Sequence, residues 1–323
     1  MQSYIRIAIL TSLITFVCAA PCCTGISKHQ KDKGCPLAIP FELDDNHIFI
    51  RGQVNGSEPL WFALDSAAGY SLINIKRAQA LSLQLQGGHR TQGAGGSIES
   101  NRVEGFTFNL SGVELTNQTI MALPLEGLQP SSGREIDVVL GYVLFERFVV
   151  EINYAAKLIN LYDPNSYDYQ GFGESIPIML EANNPYVRAK IMQIGREPVE
   201  GEFLIDTGSG RALIVQEAFE REHKLLESIR ETIQGRGDGV GGEVQFLVGR
   251  VNNLQLGSFI LENPVTAFAR KGKFAGDNKA GNIGNEILRR FKVVFDYSRQ
   301  RMILEPNQHF GEPFELNKRR LSD

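Results

Sequence analysis

The amino-acid sequence predicts a mainly β protein made of two similar lobes related by a pseudo-two-fold axis, with its site between them. Three observations lead there. From Leu37 the chain runs through short strand-like segments separated by turn signals, with little helical periodicity. A set of landmarks in the first half recurs in the same order in the second. Each copy also carries one short helical stretch and one glycine-rich stretch at corresponding places.

The repeat is clearest around an unusual placement of charge. Residues 203–215 read FLIDTGSGRALIV, with Asp206 between an apolar run and two glycines. Residues 61–74 read WFALDSAAGYSLIN, with Asp65 in the same place. A lone Asp and Gly would mark no more than a strand-ending turn. These two lie 141 positions apart, 206 less 65. VVLGYVLF around Gly141 answers GNIGNEIL around Gly284, and FVVEINY ending at Tyr154 answers FKVVFDY ending at Tyr297, each pair 143 positions apart. Upstream, IPFELDDNHIFIRGQVNG answers IPIMLEANNPYVRAKIMQIG. The chain therefore carries a tandem duplication of a unit of roughly 130–140 residues, an ordinary domain size. We expect lobes over residues 37–165 and 166–308, preceded by a signal peptide over 1–24 and a linker over 25–36, and followed by a polar tail over 309–323.

Taken in order, the segment IAILTSLITFVCAA after Arg6 has the length of a signal-peptide core and falls short of the ~20 apolar residues a membrane span needs. Export to the periplasm or the exterior is the expectation, with no transmembrane span. All four cysteines, Cys18, Cys22, Cys23 and Cys35, precede the repeats, so neither lobe is expected to rely on a disulfide. One of them near the signal end could carry a lipid anchor. HIFIRGQVNGSEPLWFAL reads as a hairpin turning at Asn55-Gly56, and YVRAKIMQIGREPVEGEFLI as its counterpart with a longer connection. IKRAQALSL and QEAFEREHKLLESI read as the short helices. TQGAGGSIES around Gly95 and GRGDGVGGEVQF around Gly241 lack the Lys-Ser/Thr of a phosphate loop. They read as hairpin tips, either passive or covering a shared site. Both copies then return to strand-like segments, and the tail from Gly311 reads as polar and frayed.

Several function classes are disfavoured. Charged residues make up 22% and the net charge is −4, so no strong basic field invites nucleic acid. The histidines, His29, His47, His89, His223 and His309, are scattered singly and no His-Glu-x-x-His occurs, which leaves no metal set. Ser209 lacks the Gly-x-Ser-x-Gly elbow of a nucleophilic serine, and His223, in EREHKLL, reads as a solvated surface residue.

Two aspartates permit a different chemistry. If equivalent loops meet on an axis between the lobes, Asp65 and Asp206 come together and share one proton. The ionised carboxylate takes a proton from water and the protonated one donates to a carbonyl oxygen, hydrolysing an amide without metal, cofactor or covalent intermediate.

LIDTGSG followed by a helix, a glycine-rich hairpin and then NIGNEIL resembles one lobe of an aspartic peptidase, with the lobe length of the retropepsin type. The resemblance spans about residues 37 to 308, as two fused copies of the kind found in exported bacterial proteins. It implies Asp65 and Asp206 as the catalytic dyad, and Ser66 and Thr207 as hydroxyl braces across the axis. It also implies hairpins tipped by Gly95, Gly96, Gly241 and Gly242 as flaps over an extended peptide or protein substrate. Gly141 and Gly284 would support the dyad from beneath. Because one chain carries both halves, a monomer would suffice. The first copy departs from the pattern, with Asp65-Ser66-Ala67 where the second has Asp206-Thr207-Gly208. A methyl at Ala67 would cost about 1 kcal/mol or more if that position needs positive φ or close approach. It is the main support for the alternative, a cleft that binds peptides without cutting them.

Overall fold

The computed structural model describes residues 36–130, 132–274 and 278–316. The expected signal peptide, the linker up to residue 35 and all four cysteines lie outside the described residues, as do residues 317–323 of the tail. Among the described residues no helix is long and apolar enough to cross a membrane.

The protein is mainly β, with two similar domains, and its strands form three sheets. An eight-stranded sheet from the first half runs in the order Glu42–Asp44, His47–Val54, Leu60–Leu64, Val138–Leu140, Leu72–Asn74, Val113–Leu123, Gly96–Leu110, Gln86–Gly93. A second pairing, Gln53 with Asn109, brings the His47–Val54 strand against Gly96–Leu110 as well. The ten-stranded sheet of the second half repeats the central pattern: Leu213–Val215, Gly281–Gly284 and Val199–Asp206 are successive neighbours in it.

That pattern positions the site. Leu60–Leu64 and Leu72–Asn74 are close in sequence yet do not pair, because Val138–Leu140 lies between them, parallel to the first and antiparallel to the second. In the second half Gly281–Gly284 separates Val199–Asp206 from Leu213–Val215 in the same way. Each loop carrying an aspartate thus arches over the end of a strand contributed from far along the chain. These central strands are buried on both faces, Phe62, Leu64, Val138, Leu140, Phe203 and Ile205 on one and Ala63, Val139 and Leu204 on the other, so they read as near-continuous apolar runs. The continuous run before each aspartate has this cause.

The third sheet has six strands, three from each half, joined at its centre by the antiparallel pair Val149–Asn153 and Phe291–Asp296. Around it Phe145 packs edge-on against Phe295 with centroids 5.1 Å apart. The two halves share a continuous apolar core.

Local expectations hold at the first hairpin: Asn55 and Gly56 both take positive φ, 50° and 73°, and Ser57 N–H donates to the Val54 carbonyl at 2.9 Å. The helices after the aspartates are Ile75–Ala80 and Glu217–His223. Two further helices, Tyr142–Arg147 and Asn285–Leu288, occupy segments expected to be strand-like. They are too short for a helical period to register in the sequence. The segment from Gly311 was expected to fray, but Phe314 is buried there. Arg290 is buried too, and its guanidinium lies 3.7 Å from the centroid of the Phe314 ring. That guanidinium donates to the carbonyls of His309 and Pro313 at 3.1 and 3.3 Å, and also to that of Glu312. A buried guanidinium has five donors to satisfy, and the backbone of this segment supplies acceptors.

Candidate active site

Asp65 follows the strand Leu60–Leu64 and Asp206 ends the strand Val199–Asp206; both line one cleft of about 1570 Å³. Their loops are tied together by four buried hydrogen bonds. Ser66 N–H donates to Thr207 Oγ1 at 2.9 Å, and Thr207 N–H donates to Ser66 Oγ at 3.0 Å. Each hydroxyl then donates across to the other half, Ser66 Oγ to the Ile205 carbonyl at 2.7 Å and Thr207 Oγ1 to the Leu64 carbonyl at 3.1 Å. Both residues are completely buried, so every one of these groups would be orphaned without its partner.

The loops rest on glycines. A Cβ at Gly141 would lie 2.2 Å from the Ala68 carbonyl oxygen, and one at Gly284 would lie 2.3 Å from that of Arg211. Close backbone approach there lets Tyr142 N–H reach the Ala68 carbonyl at 2.9 Å and Asn285 N–H the Ser209 carbonyl at 2.8 Å. Gly208 is required for another reason: a Cβ on it would stand 2.4 Å from Asp65 Cγ. The Asp65 carboxyl therefore lies directly against the second loop.

Ala67 corrects an expectation. Its φ is not positive, its N–H still donates to Asp65 Oδ1 at 2.8 Å, and it packs against the cluster of Tyr186 and Leu204. The strain expected from a positive φ at this position does not arise.

The electrostatics follow from burial. Desolvation, and next the charge of Asp206, push the Asp65 carboxyl up to about 7, against the pull of the Ala67, Ala68 and Gly208 N–H groups. Burial also raises Asp206, opposed by the Asn282 amide and the N–H groups of Gly208 and Ser209. Behind Asp65, burial followed by that carboxylate's charge drives the Tyr297 phenol well above its ordinary value.

The glycine-rich stretches are hairpin tips, Gln86–Gly93 pairing with Gly96–Leu110 and Ile233–Gly239 with Gly242–Arg250. The tips meet each other. Gly95 N–H donates to the Val240 carbonyl at 2.9 Å. A Cβ on Gly95 would come within 2.0 Å of the Gly242 carbonyl oxygen, and one on Gly241 within 2.2 Å of that of Gly96. Gly95, Gly96, Gly241 and Gly242 thus form the tip-to-tip contact, while Gly93, Ala94, Gly239 and Val240 line the cleft.

Three residues escaped the reading from sequence. Asn282 Nδ2 donates to Asp206 Oδ2 at 2.6 Å. Tyr154 OH donates to Asn285 Oδ1 at 2.6 Å, and Asn285 Nδ2 donates to the Thr207 carbonyl at 2.5 Å, so a tyrosine of the first half steadies the loop of the second. A signal for Asn282 was available, since GNIG places a polar residue where VVLG has valine. His223 also differs from expectation: its ring packs on Phe219 at 4.5 Å between centroids. Among the described residues no group of three or more His, Cys, Asp or Glu side chains is arranged to hold a metal ion.

Fold and site together define a mainly β protein of two similar halves that bring two half-buried, mutually interacting carboxylates to one cleft. Comparison with known families matches the aspartyl protease family twice, at residues 50–144 and 187–287, more than half of the chain, consistent with a tandem, two-lobed, retropepsin-like protein. The chain belongs to the aspartyl protease family. A search of curated proteins finds no match.

Proposed function

We propose that the protein is an aspartic endopeptidase in which Asp65 and Asp206 form the catalytic dyad. The observation that carries this is the crossed pair of hydroxyl bonds between Ser66 and Thr207, which fixes two loops at one cleft, where desolvation and next the charge of Asp206 raise the Asp65 carboxyl to about 7. Between its two titrations the pair holds one proton. The ionised carboxylate takes a proton from water as the water oxygen attacks the scissile carbonyl carbon. The other carboxyl gives its proton to the carbonyl oxygen, forming a gem-diol. Collapse of the diol breaks the C–N bond, with the leaving nitrogen protonated by the dyad.

The cleft of about 1570 Å³ exceeds the ~300–1,000 Å³ of a small-molecule site and suits an extended peptide. The touching tips would open to admit it and close over it. Reciprocal bonding of equivalent residues supports a pseudo-two-fold relation between lobes 37–165 and 166–308, with a monomer sufficing for activity. The apolar segment after Arg6 supports export.

The test is cleavage of a mixed peptide library between pH 3 and 8, with Asp65→Asn and Asp206→Asn run alongside. Loss of cleavage in both, with folding intact, is the expected result. A folded wild-type protein that binds peptides and cuts none at any pH would overturn the proposal.

A further inference from the structure

The dyad is not symmetric. In the second half Leu204 pairs in parallel with Asn282, and in the first half the corresponding pair is Ala63 with Val139. Asn282 and Val139 thus occupy equivalent places beside the strands that lead into the two aspartates. Val139 belongs to an apolar cluster with Ala63 and Leu72 and has nothing to donate. Asn282, 2% exposed, gives its Nδ2 hydrogen to Asp206 Oδ2 at 2.6 Å, while among the described residues no donor reaches its own buried Oδ1. An unpaired buried carbonyl oxygen is a cost that valine would avoid, so packing alone does not account for the amide.

Resting on the peptidase reading above, we infer that Asn282 divides the labour within the dyad: it holds Asp206 as the ionised carboxylate that takes the proton from water and leaves Asp65 as the donor to the carbonyl oxygen. A hydrogen bond donated to a carboxylate favours the charged form, and charge-assisted bonds of this kind are the strong ones. Asp65 receives the backbone N–H groups of Ala67, Ala68 and Gly208 but, among the described residues, no side-chain donor. The surrounding ionisable groups are engaged elsewhere or stand on the Asp65 side. Tyr297, whose phenol feels the charge of Asp65, has its ring tilted against that of Tyr142, and Glu286 accepts from Asn46 at 2.9 Å. Arg211 lies over Phe246, and Lys279 sits between Glu181 and Glu202. Asn282 is a positioning residue: it acts through Asp206.

The test substitutes the first copy's residue, Asn282→Val, and follows kcat/KM against pH. In parallel, carbon-detected NMR titrates the two carboxyl groups, a readout that needs no turnover. The acid limb and the lower of the two carboxyl titrations are expected to move up by about one pH unit, a tenfold change in proton affinity, with the alkaline limb unmoved. The converse variant, Val139→Asn, places a donor beside Asp65 and is expected to lower the alkaline limb by a similar amount. A folded Asn282→Val protein with both limbs in place overturns the inference. An acid limb moved down also overturns it, because the amide oxygen would then be facing a protonated Asp206. Should the wild type cut nothing, the peptidase reading falls by itself, and the NMR titration still decides the role of Asn282.

Discussion

Replacing Asp65 with Asn should abolish cleavage and, at neutral pH, make the protein more stable. Burial and the neighbouring Asp206 raise the Asp65 carboxyl from an ordinary 3.8 to about 7. The folded state therefore holds this proton more tightly than the unfolded chain does. Stability contributed by the protonated form is complete below pH 4 and drains away as pH rises towards 7, where the folded protein must also ionise the group. Each pH unit across that window is worth about 1.4 kcal/mol, so the ceiling is roughly 4 kcal/mol, and local relaxation brings the expectation to about 2–4 kcal/mol. Asn is neutral at every pH and keeps an oxygen to accept the Ala67 N–H. Urea unfolding at pH 4, 6 and 8 measures the difference between wild type and variant. The variant should gain little at pH 4 and the full amount at pH 8. An equal difference at all three pH values would refute the reasoning, since it would mean that Asp65 titrates alike in the folded and unfolded chains.

Three other perturbations test the architecture around the dyad. Gly208→Ala sets a methyl where 2.4 Å separates it from Asp65 Cγ, and kcat/KM should fall by about 100-fold as the carboxyl is displaced. Retention of near wild-type turnover would show that the loop yields freely. Thr207→Val removes the hydroxyl that serves the Ser66 N–H and the Leu64 carbonyl, leaving both buried and unpaired, at about 2–4 kcal/mol in denaturant unfolding. Ala67→Gly should cost about 1 kcal/mol, through lost packing on Tyr186 and Leu204 and added chain entropy, and should change kcat/KM by less than about threefold. A large gain in activity would mean that the methyl obstructs the site.

The duplication was legible because both copies keep landmark residues whose work is local: an aspartate ending an apolar run, a small hydroxyl beside it, a glycine where backbone must approach backbone. Gly141, Gly208 and Gly284 could be picked out in this way, although the atoms that forbid a side chain at each come from distant segments. The helices Tyr142–Arg147 and Asn285–Leu288 could not, because one or two turns hold too few residues to display a period. The expected fraying from Gly311 failed for a related reason: its order comes from Arg290, buried some twenty residues earlier, whose donors need those carbonyls.

By itself the sequence determined that the chain is two copies of one β unit, that each copy carries an aspartate at a strand end, and which residue types stand beside it. Periodicity, apolar runs and repeat offsets are properties of residues near one another in the chain. Only the tertiary structure decided that Ser66 and Thr207 exchange hydrogen bonds, that the tips at Gly95 and Gly241 touch, that Ala67 packs against Tyr186 and Leu204, and that Asn282 serves Asp206 while Asp65 has no side-chain counterpart among the described residues. Those pairings join segments more than seventy residues apart, and what sets them is the packing that excludes water and leaves each buried polar group with a particular partner.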